Sequence, residues 1–137
     1  MVLLTKVVFD TNVLISSILS NKGASHKLVA LAAQGKIEGT TSPTLLAEFE
    51  RSIVRDFGFS KHKTEKAVRI FLCFFAIVEP ARRLEIIADD ADNRVLERAV
   101  ACKADYIASW DGHLTDLQEY GGIRITNPGR ILDELEL

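Results

Sequence analysis

The sequence has 137 residues, 47% of them apolar and 26% charged, with a formal net charge of −2 at pH 7. That length suits a single domain, 1–137, which buries its core without disulfides or a structural metal; its longest uninterrupted apolar run, Ile70 to Val78, is far too short to cross a bilayer. The charge speaks against coating nucleic acid by bulk basicity, yet leaves room for a phosphate-bearing substrate at a local site.

Met1 to Lys6 shows no charged leader followed by a long apolar region, so a cytoplasmic protein is expected. Lys6 to Phe9 continues a Val/Leu-rich opening without alternation, the pattern of a strand buried on both faces. Helical spacing follows at once in Val13, Leu14, Ile18 and Leu19, and again in Leu28, Leu31 and Ala32 until Gly35. Ile37 to Thr41 is the next strand. Ser42-Pro43 starts a helix with a capping hydroxyl and a proline that gives up no needed hydrogen bond, and Leu45, Leu46, Phe49 and Ile53 form its apolar stripe. After a break at residues 57–60, a helix with basic first turns merges into the run Ile70 to Val78, where helix and strand readings compete. Pro80 ends that run.

Asp89-Asp90-Ala91-Asp92 precedes a helical pattern in Val95, Leu96, Ala99 and Val100. Tyr106 to Ser109 reads as a short strand, Asp111-Gly112-His113 as the start of a short helix, Ile123 to Thr126 as the last strand and Asn127-Pro128 as the start of a final helix. Strands alternating with helices predict an α/β domain with a central, mostly parallel sheet of about five strands flanked by helices. In such sheets ligands gather beyond the carboxyl ends of the strands.

Several acids belong at that edge. Asp10 follows the first strand directly and Asp111 lies two residues beyond Ser109; Asp92 opens the helix leading into that strand, and Glu48 sits in the second turn of the helix after Thr41. Carboxylates gathered without a basic partner can hold a hard cation such as Mg²⁺ or Mn²⁺. Each acid also has a plainer reading. Asp10, Asp92 and Asp111 lie at helix starts, where aspartate caps amides, and periodicity does not choose between Glu48 and Glu50.

The order of these features, FDTNVLISSI at residues 9–18, SPTLLAEFE at 42–50 and DDADNRVLERAVACKADYIASWDGHL at 89–114, resembles the PIN-domain family. Within it the chain is similar to the VapC-like toxin components of toxin–antitoxin pairs. The resemblance implies a Rossmann-like PIN fold and an Mg²⁺- or Mn²⁺-dependent endoribonuclease that hydrolyses RNA phosphodiesters. Its acidic positions fall on Asp10, Glu48, Asp92 and Asp111 as catalytic and metal-holding residues. Asn12, Ser16 and Ser109 would be supporting polar neighbours, and Asp89 or Asp90 would stand behind Asp92. It also implies an antitoxin partner and a homodimer or higher homo-oligomer. The sequence departs from the pattern at Trp110, where family members often carry glycine or another small or polar residue; its bulk would shape the cleft or pack against the core.

Between Arg51 and Arg69 basic residues outnumber acids six to two. Arg51 and Arg55, one and two helical turns beyond Glu48, are the candidates for gripping a phosphate backbone. Phe71, Phe74 and Phe75 read as core, with a self-association surface as the alternative. Cys73 and Cys102 lack metal or redox spacing and are expected to be buried free thiols; His113 reads as a surface residue at a helix start. Two other functions compete. A phosphoaspartate-type phosphatase or phosphotransferase would use Asp10 as nucleophile, but resembles Asp-x-Asp where this chain has Asn12. A catalytically inactive binding module would have little use for four acids.

Overall fold

A computed structural model describes residues 3–79 and 83–135, with the side chain of Asp90 outside that description. The apolar opening forms β1 (Lys6–Phe9), in which Val7, Val8 and Phe9 are fully buried. A strand covered on both faces needs helices on both sides. The chain continues with α1 (Thr11–Leu19), α2 (Ala24–Ala33), β2 (Glu38–Thr41), α3 (Pro43–Phe57), α4 (Lys61–Phe74) and β3 (Ala76–Ile77). There follow α5 (Asp90–Cys102), β4 (Tyr106–Ala108), α6 (Gly112–Thr115), β5 (Glu119–Tyr120), β6 (Ile123–Thr126) and α7 (Pro128–Leu135).

The strands form one sheet in the order β3-β2-β1-β4-β6-β5, with every pairing parallel except β5 with β6. The mostly parallel α/β fold expected from the sequence is therefore present, with six strands among the described residues rather than about five. The added strand is β5, whose two residues are too few to leave a periodic signal. Gly121 and Gly122, at φ 58° and 83°, make the tight turn that folds it back on β6, a conformation that a side chain at either position would strain.

From β1 the chain steps outward to β2 and β3, then returns to lay β4 on the other side of β1. Strand order thus reverses between β1 and β4. The loops leaving their carboxyl ends diverge and open a crevice, the usual ligand position in an open parallel sheet.

Alternation along β1 divides the core in two. Val7 and Phe9 face one cluster with Leu14, Phe49 and Phe71, while Val8 faces the other with Leu45, Leu96 and Ile107. The disputed run from Ile70 resolves as the end of α4 followed by β3. Its aromatic mass is core: Phe71 and Phe75 are buried, and the rings of Phe9 and Phe75 meet edge to face at 5.0 Å. The expected stop at Pro80 lies outside the described residues. Among the described residues no helix is long and apolar enough to cross a membrane.

Cys73 departs from expectation. It is exposed, and Cys102 is only partly buried, because the buried stripe of α4 runs through Thr64, Ala67 and Phe71, and two residues beyond Phe71 the helix has turned about 200° away from it. Gly39 in β2 shows how tightly this half of the core is filled. A Cβ there would stand 2.5 Å from the Phe75 ring and 3.1 Å from Ala32 Cβ. Gly39→Ala is therefore expected to cost on the order of 1–2 kcal/mol by overpacking, read as a lower urea midpoint at unchanged slope.

A cleft of carboxylates at the strand-order reversal

Asp10 emerges from β1 with its backbone N–H donating to Ala108 O at 3.0 Å, which ties it to the end of β4. It caps α1: Thr11 N–H donates to Asp10 Oδ1 at 2.8 Å. Its other oxygen, Oδ2, accepts from Ser109 Oγ at 2.7 Å and from Asn12 Nδ2 at 3.3 Å. Ser109 is fully buried beyond β4, and its Oγ also accepts from Asp111 N–H at 3.0 Å and lies 3.4 Å from Asn12 Nδ2. One hydroxyl thereby holds the loops after β1 and β4 in a common frame. Asp111 in turn caps α6 by accepting from His113 N–H at 2.9 Å.

Glu48 and Asp92 reach the same place from two helices. Thr11 Oγ1 donates to Glu48 Oε2 at 3.1 Å, joining α1 to α3, while Glu50 points outward and is exposed. Asp92 is buried in the first turn of α5, which Asp89 caps by accepting from the N–H groups of Ala91 and Asp92. Further along α5, Asn93 accepts from the N–H groups of Ile86 and Ile87, and Glu97 accepts from Leu84 N–H. These bonds strap the preceding segment to the helix and fix how its first turn meets the crevice.

The result is a cleft of about 280 Å³ lined by Asp10, Glu48, Asp92 and Asp111 with Asp89, Asn12 and Thr11. Burial pushes the Asp10 carboxyl up to about 6, against the pull of its Ser109 and Thr11 hydrogen bonds, and the nearby Glu48 and Asp111 charges push the same way. Asp92 is also pushed up to about 6, by burial and then by Asp111, Asp89 and Asp10. No Lys or Arg lines the cleft among the described residues, and buried Asp92 Oδ2 has no hydrogen-bond partner among them. Among the described residues no three His, Cys, Asp or Glu side chains are already drawn together around one point. Crowded oxygens without a counter-charge, one of them buried and unsatisfied, are nevertheless the donor set that suits a hard divalent cation.

Other residues singled out in the sequence lie elsewhere. Ser16 turns away from Asp10 and donates to Val13 O and Ser25 Oγ. Arg51 and Arg55 line the groove between α3 and α4 instead of the cleft. Arg55 is paired with Asp56 at 2.9 Å, and it is Ser52 and Asp56, four and eight residues beyond Glu48, that line the cleft. That spacing, with Thr11 beside Asp10, was the signal available for these three lining residues. His113 is exposed. Asp90 opens α5, and its side chain is not described.

The PIN domain family model matches residues 6–113. The uncharacterized protein MJ1680 of Methanocaldococcus jannaschii is 26% identical, over 96% of this chain and 92% of its own. Two crystal structures share the fold at 15% identity. A chain of VapBC2 from Rickettsia felis, bound to a DNA fragment from its promoter, superposes with a TM-score of 0.66 over 90% of this chain and 98% of its own. VapC20 of Mycobacterium tuberculosis, a sarcin-ricin-loop-cleaving toxin, does so with a TM-score of 0.56 over 86% and 98%.

Proposed function

The chain belongs to the PIN domain family, and on that premise we propose that it is a divalent-metal-dependent endoribonuclease, the toxin component of a toxin–antitoxin pair acting in the cytoplasm. The observation that carries this reading is the cleft at the strand-order reversal, lined by Asp10, Glu48, Asp92 and Asp111 and by no Lys or Arg among the described residues. Mg²⁺ or Mn²⁺ would be held by these four carboxylates. When bound, the ion supplies positive charge for the phosphodiester and lowers the pKa of water at the site.

The remaining residues keep this arrangement in place. Ser109 and Asn12 both donate to Asp10 Oδ2 and so orient its carboxylate. Thr11 does the same for Glu48, and Asp89, by capping α5, sets the position of Asp92. Ser16 has no part in this frame, since its hydroxyl bonds Val13 O and Ser25 Oγ. At position 12 a donor amide stands where phosphoaspartate chemistry would want a proton-giving acid, which favours hydrolysis by water over attack by Asp10.

VapC20 is a toxin that cleaves the sarcin-ricin loop and VapBC2 was crystallised on promoter DNA. By analogy this chain would act on RNA, and the family resemblance adds an antitoxin partner and a homodimer or higher homo-oligomer. The direct test is incubation with single-stranded RNA. Cleavage is expected in Mn²⁺ or Mg²⁺, to cease on chelation and to return when the ion is restored. RNA left intact under all three conditions, with no metal-dependent rise in melting temperature, would instead indicate a binding module.

A further inference from the structure

A cleft lined by no Lys or Arg among the described residues gives a phosphate backbone little to hold besides a bound metal. One aromatic surface stands beside it. Trp110 lies between buried Ser109 and cleft-lining Asp111. Its backbone N–H donates to Asn12 Oδ1 at 3.1 Å, and Asn12 Nδ2 donates in turn to Asp10 Oδ2 at 3.3 Å. The residue is 48% exposed, so the indole forgoes much of the burial that a ring of its size could gain. It is held all the same. The indole Nε1–H donates to Ser25 Oγ at 2.8 Å, and Ser25 is itself buried and bonded to Ser16 Oγ. A flat ring fixed through its edge and half open to solvent loses little freedom when something stacks on it.

We propose that Trp110 is the stacking platform for an unpaired base of single-stranded RNA, adjoining the phosphodiester in the acid cleft; this subsite rests on the nuclease reading above. Every base offers a π face, so stacking supplies affinity without cations and without a strong sequence preference. Bases within a duplex are already stacked on their neighbours, so the platform favours loops and single strands. The serines then have a use. Ser16 and Ser25, neither of which lines the cleft, hold the edge of the indole in place.

Trp110 is the sole tryptophan of the chain, so its emission reports the subsite directly. Short oligoribonucleotides are mixed with the full chain in Mg²⁺ at low temperature and read before cleavage accumulates: unpaired, of equal length but abasic, and duplex. The unpaired strand is expected to quench Trp110, and the abasic and duplex strands to leave its emission unchanged. Anisotropy of an end-labelled unpaired strand should show Trp110→Ala binding about 5- to 150-fold more weakly. Trp110→Phe should recover most of that loss, and Ser25→Ala should weaken binding in part. Equal quenching by the abasic strand, or unchanged affinity in Trp110→Ala, overturns the proposal; a protein segment would then be the better occupant of the ring. Base-dependent quenching without metal-dependent cleavage would sink the nuclease reading and leave the platform standing, while cleavage without base-dependent quenching would do the reverse.

Discussion

Asp10→Asn is expected to lower metal-dependent RNA cleavage by about 10³-fold, the loss that follows when several kcal/mol of transition-state charge stabilisation disappears. The same variant should be more stable than the wild type when metal is absent. Asp10 is buried, and its carboxylate is opposed by Glu48 and Asp111; a neutral amide removes that repulsion. Part of the gain is offset because the amide nitrogen would meet two groups that now donate to the aspartate, Ser109 and Asn12. A net stabilisation of about 1 kcal/mol, or roughly 3–5 °C in melting temperature, is expected at pH 7.5 without metal. If Asp10 merely capped α1, cleavage would be nearly unchanged and stability would gain nothing, because asparagine caps a helix about as well as aspartate. Circular dichroism melts beside a cleavage assay separate the two.

The second large effect is a pH-dependent response to metal. Asp10 and Asp92 are both raised to about 6 from the ordinary aspartate value of 3.8, in each case chiefly by burial. Between about pH 4 and pH 6 the folded chain therefore holds protons that the unfolded chain has released. Stability contributed by these groups is complete below that window and falls as pH rises through it. A divalent cation requires the deprotonated carboxylates, so its stabilisation should be small at pH 5 and large at pH 7.5. At 100 times its dissociation constant it would add about 2.7 kcal/mol, or roughly 10 °C for a chain of this size. Melts with Mn²⁺ and with chelator at the two pH values read this directly. Equal shifts at both, or the same pH slope in Asp10→Asn as in wild type, would show that these carboxyls are not where the ion binds.

Asp10 and Asp111 were legible because each follows a strand closely, and a parallel sheet sends all such residues to one edge. Asp92 was legible through the helix that leads back to β4. Asn12 was found from its place beside Asp10, and it touches that carboxylate. Ser16, one turn farther along, rests on the family resemblance alone, and in the fold α2 docks there and Ser25 takes its hydroxyl. Arg51 and Arg55 show the same limit. Counting turns from Glu48 puts them near the acids, but the packing of α3 leaves them in the groove with α4 and gives the cleft Ser52 and Asp56.

Order along the chain was thus enough for the alternating α/β fold, the sheet edge that carries the acids and the family resemblance, because all three depend on local periodicity and on residues adjacent to strand ends. The choice of Glu48 over Glu50, the shared hydroxyl of Ser109, the raised Asp10 and Asp92 carboxyls and the half-open Trp110 depended on contacts between segments up to 99 residues apart. Such contacts leave no periodic trace. They arise only when helices pack on the sheet and decide which flank of each helix is left facing the crevice.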